Sequence, residues 1–233
     1  IRKHSTFSHQ IIVHVNEGND GTLNWLEAQQ IEITHSTQNV GICVALNQAA
    51  ALAKHDYYVY MNDDMYCLPQ WDFFLAEEII ACSNEQFMFS STMIEPRNTG
   101  NRAVIVADFG QTIDHFQEEK LRQQYQTFAH CNWSGSSWPP NIVHRSMWQK
   151  LKGYNEYFSP GMSSDDDFSM RMWQQGCRMF KGVASSRVYH FQCKSTGRII
   201  KNNGRQQFLH LYGITQNMFN TYYLKKGKPF AGR

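Results

Sequence analysis

Residues 57–61, Tyr-Tyr-Val-Tyr-Met, form an apolar run that stops abruptly on Asn62-Asp63-Asp64. Aromatic and β-branched side chains pack well on a pleated surface and helices rarely start this way. The run therefore predicts a buried strand with its acids at the C-terminal end. In an open α/β sheet, ligands bind outside the carboxyl ends of the strands, and hard anionic oxygens placed there suit a divalent cation and a phosphorylated ligand. Taken alone, the tripeptide reads better as a polar turn in which Asn62 or Asp63 bonds its own backbone, so the surrounding chain has to decide.

Upstream, residues 10–15 (Gln-Ile-Ile-Val-His-Val) read as a strand, followed by the turn Asn16-Glu17-Gly18-Asn19-Asp20-Gly21-Thr22 and a helix to about residue 30. Asp20 suits a helix N-cap, its carboxylate accepting from first-turn amides; a second use of the turn is to present Asn16 and Glu17 to a ligand's ribose or base. Residues 31–34 make a second strand, and Asn39-Val40-Gly41 leads into a helix over 42–54. The resulting β-α-β-α-β order predicts a parallel sheet with right-handed crossovers. Beyond the acids, Pro69 at a first-turn position opens a helix over 70–81 with Trp71, Phe74, Leu75 and Ile79 as its core stripe.

The chain of 233 residues is long enough to bury a substantial core. With 42% hydrophobic and 14% aromatic residues it is globular, and a formal charge of +2 excludes wholesale nucleic-acid binding. Six scattered cysteines lack the short spacing of a zinc knuckle or a small disulfide scaffold, which points to a reducing, cytoplasmic compartment. The most apolar stretch, residues 42–53, is broken by Asn47 and Gln48 and cannot span a membrane; peripheral attachment at the membrane face stays open.

Strands follow at 87–89 and 103–106 around a loop at 95–100, in a mixed or antiparallel arrangement, and then a polar segment at 117–126. Trp133 and Trp138 flank small residues before Pro139-Pro140, which suits stacking on a sugar ring and equally suits a hydrophobic corner. A short helix over 143–151 ends at Gly153. Ser163-Ser164-Asp165-Asp166-Asp167 opens another helix, with Ser163 and Asp166 spaced as a capping box and Asp167 able to pair with Arg171. Three acids in a row exceed what capping requires, and a helix start facing the ligand crevice can hold a catalytic carboxylate rigidly. Strands at 178–180 and 187–190 end on His190, and a helical tail runs over 202–226.

In order, Asn39-Val40-Gly41 with Asn47, Asn62-Asp63-Asp64, Gly153-Tyr154-Asn155-Glu156 with Phe158, Asp165-Asp166-Asp167-Phe168-Ser169-Met170-Arg171, His190 and Ser195 resemble family 2 glycosyltransferases of the GT-A fold, from about residue 10 to about 196. The resemblance implies an α/β chain whose mixed, mostly parallel central sheet is flanked by helices. A single catalytic domain would cover 1–200, with a helical extension over 201–233 packed on it. It implies Mn²⁺ or Mg²⁺ held by Asp64, with His190 completing the shell. Asp165 is implied as the base, and Asp166 becomes the alternative because Ser164 replaces the family's usual glutamate. Asn16, Glu17, Asn39, Gly41, Asn47, Asn62 and Asp63 would bind the nucleotide donor, and Trp133, Trp138 and Asp167 the acceptor or sugar.

The sequence departs from the family in beginning at what resembles the second strand, and in reading Asn-Glu-Gly-Asn where the family often has Asp-Asp-Gly-Ser. The implied reaction is metal-dependent, inverting transfer of a sugar from a nucleotide-diphosphate donor to a hydroxyl of a glycan or lipid-linked acceptor. A sugar-phosphate nucleotidyltransferase is the rival enzyme, although no glycine-rich basic phosphate loop is visible. The rival of another class is a non-catalytic nucleotide- or sugar-binding module.

Overall fold

The computed structural model describes residues 1–193 and 200–232. The N-terminal alternation folds as β1 (Ile12–Asn16), α1 (Thr22–Ala28), β2 (Glu32–Ser36) and α2 (Gly41–Ala50), with β1 and β2 paired in parallel. Asp20 accepts from the Thr22 amide, but Gly21, in a left-handed conformation, takes the cap position itself. Then come β3 (Tyr57–Tyr60), β4 (Met65–Cys67), α3 (Trp71–Ala81), β5 (Phe87–Glu95), β6 (Val104–Val106) and α4 (Glu118–Gln124). The C-terminal half adds β7 (Trp133–Ser134), β8 (Asn141–His144), α5 (Arg145–Leu151), α6 (Ser164–Gln174), β9 (Met179–His190), α7 (Gly204–Tyr212), α8 (Gln216–Met218) and a π-helical turn, Phe219–Tyr223.

The larger sheet has seven strands in the order β3-β8-β5-β9-β4, with β6 on β5 and β7 on β9. It is mixed: β3, β5, β6 and β9 run one way, and β4, β7 and β8 the other. Among the described residues no ladder joins β1 to β3. The strand expected to be buried is instead a half-buried edge, with Tyr57 exposed, because among the described residues β3 pairs only with β8. β4 and β8 were not evident from sequence, being three and four residues long. The two expected strands at 178–180 and 187–190 are one twelve-residue strand, β9.

All nine residues of β5 are buried, including Ser90, Ser91 and Thr92, which interrupt its apolar pattern. Each hydroxyl has a partner: Ser90 Oγ meets Ser136 Oγ at 2.6 Å, Ser91 Oγ meets Ser186 Oγ at 2.7 Å, and Thr92 Oγ1 donates to the Val183 carbonyl at 2.9 Å. Satisfied in this way, they cost little inside the core. One face of the sheet packs on α3 through Trp71, Leu75, Phe87, Phe89 and Val188. Another cluster joins α5 and α6 to Phe208, Phe219 and Leu224 of the C-terminal segment. No helix of the described residues is long and apolar enough to cross a membrane.

Two helix starts differ from expectation. Pro69 precedes α3, whose cap residue Gln70 is left-handed at φ 64°. Ser163 is left-handed at φ 66° and forms no capping box; its hydroxyl donates to Gln216 instead.

β7 is held where Trp133 lies across Gly182, its register partner on β9. A Cβ on Gly182 would fall 1.8 Å from the Trp133 ring. Gly182→Ala is therefore expected to lower unfolding stability by about 1–3 kcal/mol or more, the cost of overpacking, with an unchanged denaturant slope in equilibrium urea unfolding.

Candidate active site

Three strand ends converge on one imidazole. The β4–β9 register pairs Met65 with His190, which brings Asp64, just before β4, beside that histidine. The β5–β9 register pairs Ile94 with Tyr189, which brings Glu95 to its other side. His190 Nδ1 lies 2.8 Å from Glu95 Oε1, and its Nε2 lies 3.3 Å from Asp64 Oδ2. Burial alone would lower the histidine's pKa, but hydrogen bonds to Asp64 and Glu95 and their charges outweigh it and raise it to about 9. Burial likewise pushes the Asp64 carboxyl up, yet His190 and the Cys193 amide, 2.8 Å from Oδ2, hold it below the usual range.

Asp64 and His190 open into a cleft of about 430 Å³ that is also lined by Ile42, Asn62, Asp63, Gln192 and Cys193. Asp63 is exposed and Asn62 half-buried. Among the described residues no cluster of three or more His, Cys, Asp or Glu side chains is placed to hold a metal ion. A divalent cation here would have two protein ligands and take the rest of its shell from water or phosphate. That donor set fits Mg²⁺ or Mn²⁺, which need few protein ligands when phosphate oxygens are present.

A second group forms at the start of α6. Tyr154 Oη donates to Asp165 Oδ1 at 3.0 Å, and the Tyr154 ring stacks on Phe168 at 4.8 Å. Asp165 keeps partial exposure. Burial in apolar surroundings, reinforced by the like charge of Asp166, raises its carboxyl to about 7 against the opposing pull of Tyr154 and Lys226. Tyr60 lies edge-on to the Tyr154 ring at 6.0 Å, and burial first, then nearby acids with Asp165 foremost, raise its phenol well above the ordinary value.

The other two acids of the run are committed elsewhere. Asp166, 6% exposed, accepts from Gln216 and from Asn220 Nδ2 at 2.9 Å, with the Lys226 ammonium 3.8 Å away. These bonds occupy its carboxylate, whereas among the described residues the Asp165 carboxylate accepts from Tyr154 alone. Asp167 is fully buried, accepting from Arg171 Nε at 2.8 Å and from the Tyr212 hydroxyl. It is out of reach of an acceptor.

Several expected donor contacts are engaged by backbone groups as well. Asn47 Oδ1 accepts from the Tyr154 amide at 2.8 Å and its Nδ2 donates to the Tyr154 carbonyl at 2.9 Å, so it fixes the tyrosine that holds Asp165 and does not face the cleft. Asn16 Oδ1 accepts from the Val40 amide, and Asn39 Oδ1 from the Gly41 amide, both at 3.0 Å. Gly41, at φ 73°, is packed so closely that a Cβ would lie 2.5 Å from Pro160 Cα. These residues shape the loop before α2. Glu17 is exposed and left-handed, with φ 65°.

Trp133, 1% exposed, donates from Nε1 to Thr92 Oγ1 at 3.0 Å and has no face for a sugar. It stacks on Trp138 at 5.2 Å, and the Lys226 ammonium stands 3.9 Å from the Trp138 ring centroid. The hydrophobic-corner alternative describes this pair. Ser195 lies outside the described residues.

Sequence reasoning passed over Glu95, Tyr60 and Lys226, and gave Tyr154 no role. Glu95 follows only the short apolar pair Met93-Ile94, because Ser90, Ser91 and Thr92 hide the strand that it ends. Lys226 carried no signal.

The chain matches the family described as "Glycosyl transferase family 2" over residues 3–164. That match stops one residue before Asp165. No curated protein sequence matches the chain. Among solved structures, S. aureus TarS 1-349 in complex with UDP is similar at 12% identity and a TM-score of 0.55, covering 79% of this chain and 52% of that one. GalNAc-T7 with UDP, GalNAc and Mn²⁺ is similar at 12% identity and a TM-score of 0.58, covering 92% of this chain and 44% of that one. This chain spans about half the length of those structures. At such identities the likeness is one of fold, that of the GT-A glycosyltransferases. The family match, in contrast, covers well over half of the chain and contains the acid-ended strand from which the cleft is built, and by it the protein belongs to glycosyl transferase family 2.

Proposed function

We propose that the protein transfers a sugar from a nucleoside-diphosphate donor to a hydroxyl acceptor, with inversion and with Mn²⁺ or Mg²⁺ as cofactor. The observation that carries this reading is the division of labour among the carboxylates. Asp64 is held ionised beside His190, while Asp165, raised to about 7, is poised to exchange a proton near neutral pH. UDP, present in both related structures, is the first nucleotide to test.

Asp64 and His190 would hold the cation, which when bound supplies Lewis-acid neutralisation of charge on the departing diphosphate. Asp63 and Asn62 stand at the mouth of the cleft, where they can meet the donor. Tyr154 fixes one oxygen of Asp165 and leaves the other to take the proton of the acceptor hydroxyl as it attacks. Residues 201–233 belong to the same functional unit, because Gln216, Asn220 and Lys226 hold the neighbouring Asp166. The match to a glycosyl transferase family supports this reaction over nucleotidyl transfer.

Asp165→Asn is expected to lower kcat about 10²–10⁴-fold, the worth of a positioned general base, measured with a UDP-sugar. In the unsubstituted protein kcat/KM should rise with pH through about 7, since the base works deprotonated. Lys226→Met removes a charge that favours the ionised form, and the midpoint should move upward. In thermal denaturation, UDP at about 100 times its dissociation constant should stabilise the protein by about 2.7 kcal/mol. That gain should require Mn²⁺ and vanish in Asp64→Asn. No nucleotide- and metal-dependent stabilisation in the unsubstituted protein would instead favour the non-catalytic module.

A further inference from the structure

We propose that Glu95 is the positioning residue of the metal centre: its carboxylate holds the His190 Nδ1–H and thereby aims the Nε2 lone pair at a cation on Asp64. The inference rests on the metal-dependent reading above. It starts from a carboxylate in an unexpected place. Glu95 is 4% exposed at the end of β5, and an ionised carboxylate is costly to bury without a partner. Among the described residues its ion-pair partner is His190, at 2.8 Å, and no lysine or arginine stands within reach of it.

A neutral imidazole has one N–H and one lone pair, and the group bonded to one nitrogen decides which role the other plays. With Glu95 accepting from Nδ1–H, Nε2 is the nitrogen that would give up its proton and serve as the acceptor when a cation binds. That nitrogen is the one facing Asp64 across 3.3 Å, at the cleft. The ring is therefore fixed between a buried carboxylate that takes no part in binding and a cleft carboxylate that does. A carboxylate behind a ligating histidine raises its basicity and orients its ring, and losing one typically costs about 10–100-fold in metal affinity.

The strands enforce this arrangement. His190 ends β9, paired on one side with β5 and on the other with β4, so both carboxylates sit on backbone held by ladder hydrogen bonds. A purely structural acid at this place would be served by any cation, whereas the pairing found here is with the one side chain that also reaches Asp64.

The test is Mn²⁺ titration followed by electron paramagnetic resonance, alone and with UDP, on the unsubstituted protein, Glu95→Gln, Glu95→Ala and Asp64→Asn. Glu95→Ala should bind Mn²⁺ about 10–100-fold more weakly and lose the nitrogen coupling of bound Mn²⁺ in electron spin echo modulation. Glu95→Gln, whose amide oxygen still accepts from Nδ1 and which preserves side-chain volume, should fall in between. It decides the matter if the alanine variant does not fold. Unchanged Mn²⁺ affinity with the nitrogen coupling intact in both variants would overturn the proposal, even if their melting temperatures fell, and would leave the metal site standing. If the unsubstituted protein bound Mn²⁺ no better than Asp64→Asn, the metal reading and this proposal would fall together.

Discussion

The pairing of β5 with β9 governs this molecule, and its irregularity matters as much as its regularity. Ahead of the bulge Ser91 pairs with Val183, and after it Thr92 pairs with Arg187, so β9 carries three extra residues at that point. Had the first register continued, Glu95 would stand beside Arg187, and His190 would lie three residues further, about 10 Å away at the rise of a strand. The extra residues are held in place by specific bonds. Ser186 Oγ donates to the Trp71 carbonyl at 2.6 Å, and the Ala184 amide donates to Asn132 Oδ1 at 2.8 Å. The buried Arg187 guanidinium donates to the carbonyls of Ala184, Tyr125 and Phe128. Bulges bend a strand and re-aim side chains next to functional sites. Here the bulge aligns an acid with an imidazole.

The base side of the site is organised by a helix, and helical geometry explains how three adjacent acids come to differ. Successive residues on α6 project about 100° apart. Asp167 therefore turns toward Arg171 and Tyr212, Asp166 toward the C-terminal segment, and Asp165 toward Tyr154. Two of the charges meet cations or donors that compensate them. Asp165 receives one neutral hydroxyl and a neighbouring like charge, and burial, reinforced by that charge, raises its carboxyl above the ordinary range. Identical residues thus acquire distinct chemistry from their surroundings alone.

What the sequence disclosed, and what it hid, divides along the range of the interactions. The acid-ended strand, the α6 acids and His190 were legible because strand ends and helix starts are local patterns. β8 was hidden because Asn141–His144 is short and runs straight into α5, and hydrophobic periodicity needs more than four residues to declare itself. β5 was cut short at Phe89 because three hydroxyl residues interrupt it, and their partners Ser136, Val183 and Ser186 come from distant parts of the chain. Asn47, Trp133 and Trp138 have side chains that suit ligands. Only tertiary packing shows that Asn47 clasps the Tyr154 backbone and that the tryptophans stack on one another.

Lys226 is the extreme case, since its place depends on the tail returning to β7. The Gly227 amide donates to the Ser134 carbonyl at 2.9 Å, the Ser134 amide to the Lys228 carbonyl at 2.8 Å, and the Phe230 amide to the Asn132 carbonyl at 2.8 Å. Gly135, at φ 88°, permits the approach; a Cβ there would stand 2.6 Å from Lys226 Cα. The tail also places Phe208, Phe219 and Leu224 in the same apolar cluster as Phe168 of α6, and truncating a buried phenylalanine typically costs about 3–5 kcal/mol. The segment that brings a cation to the α6 acids is thus also part of the core that sets the helix. Its packing and the electrostatics of Asp165 cannot be altered independently, because the same residues that hold α6 in place hold the charge beside it.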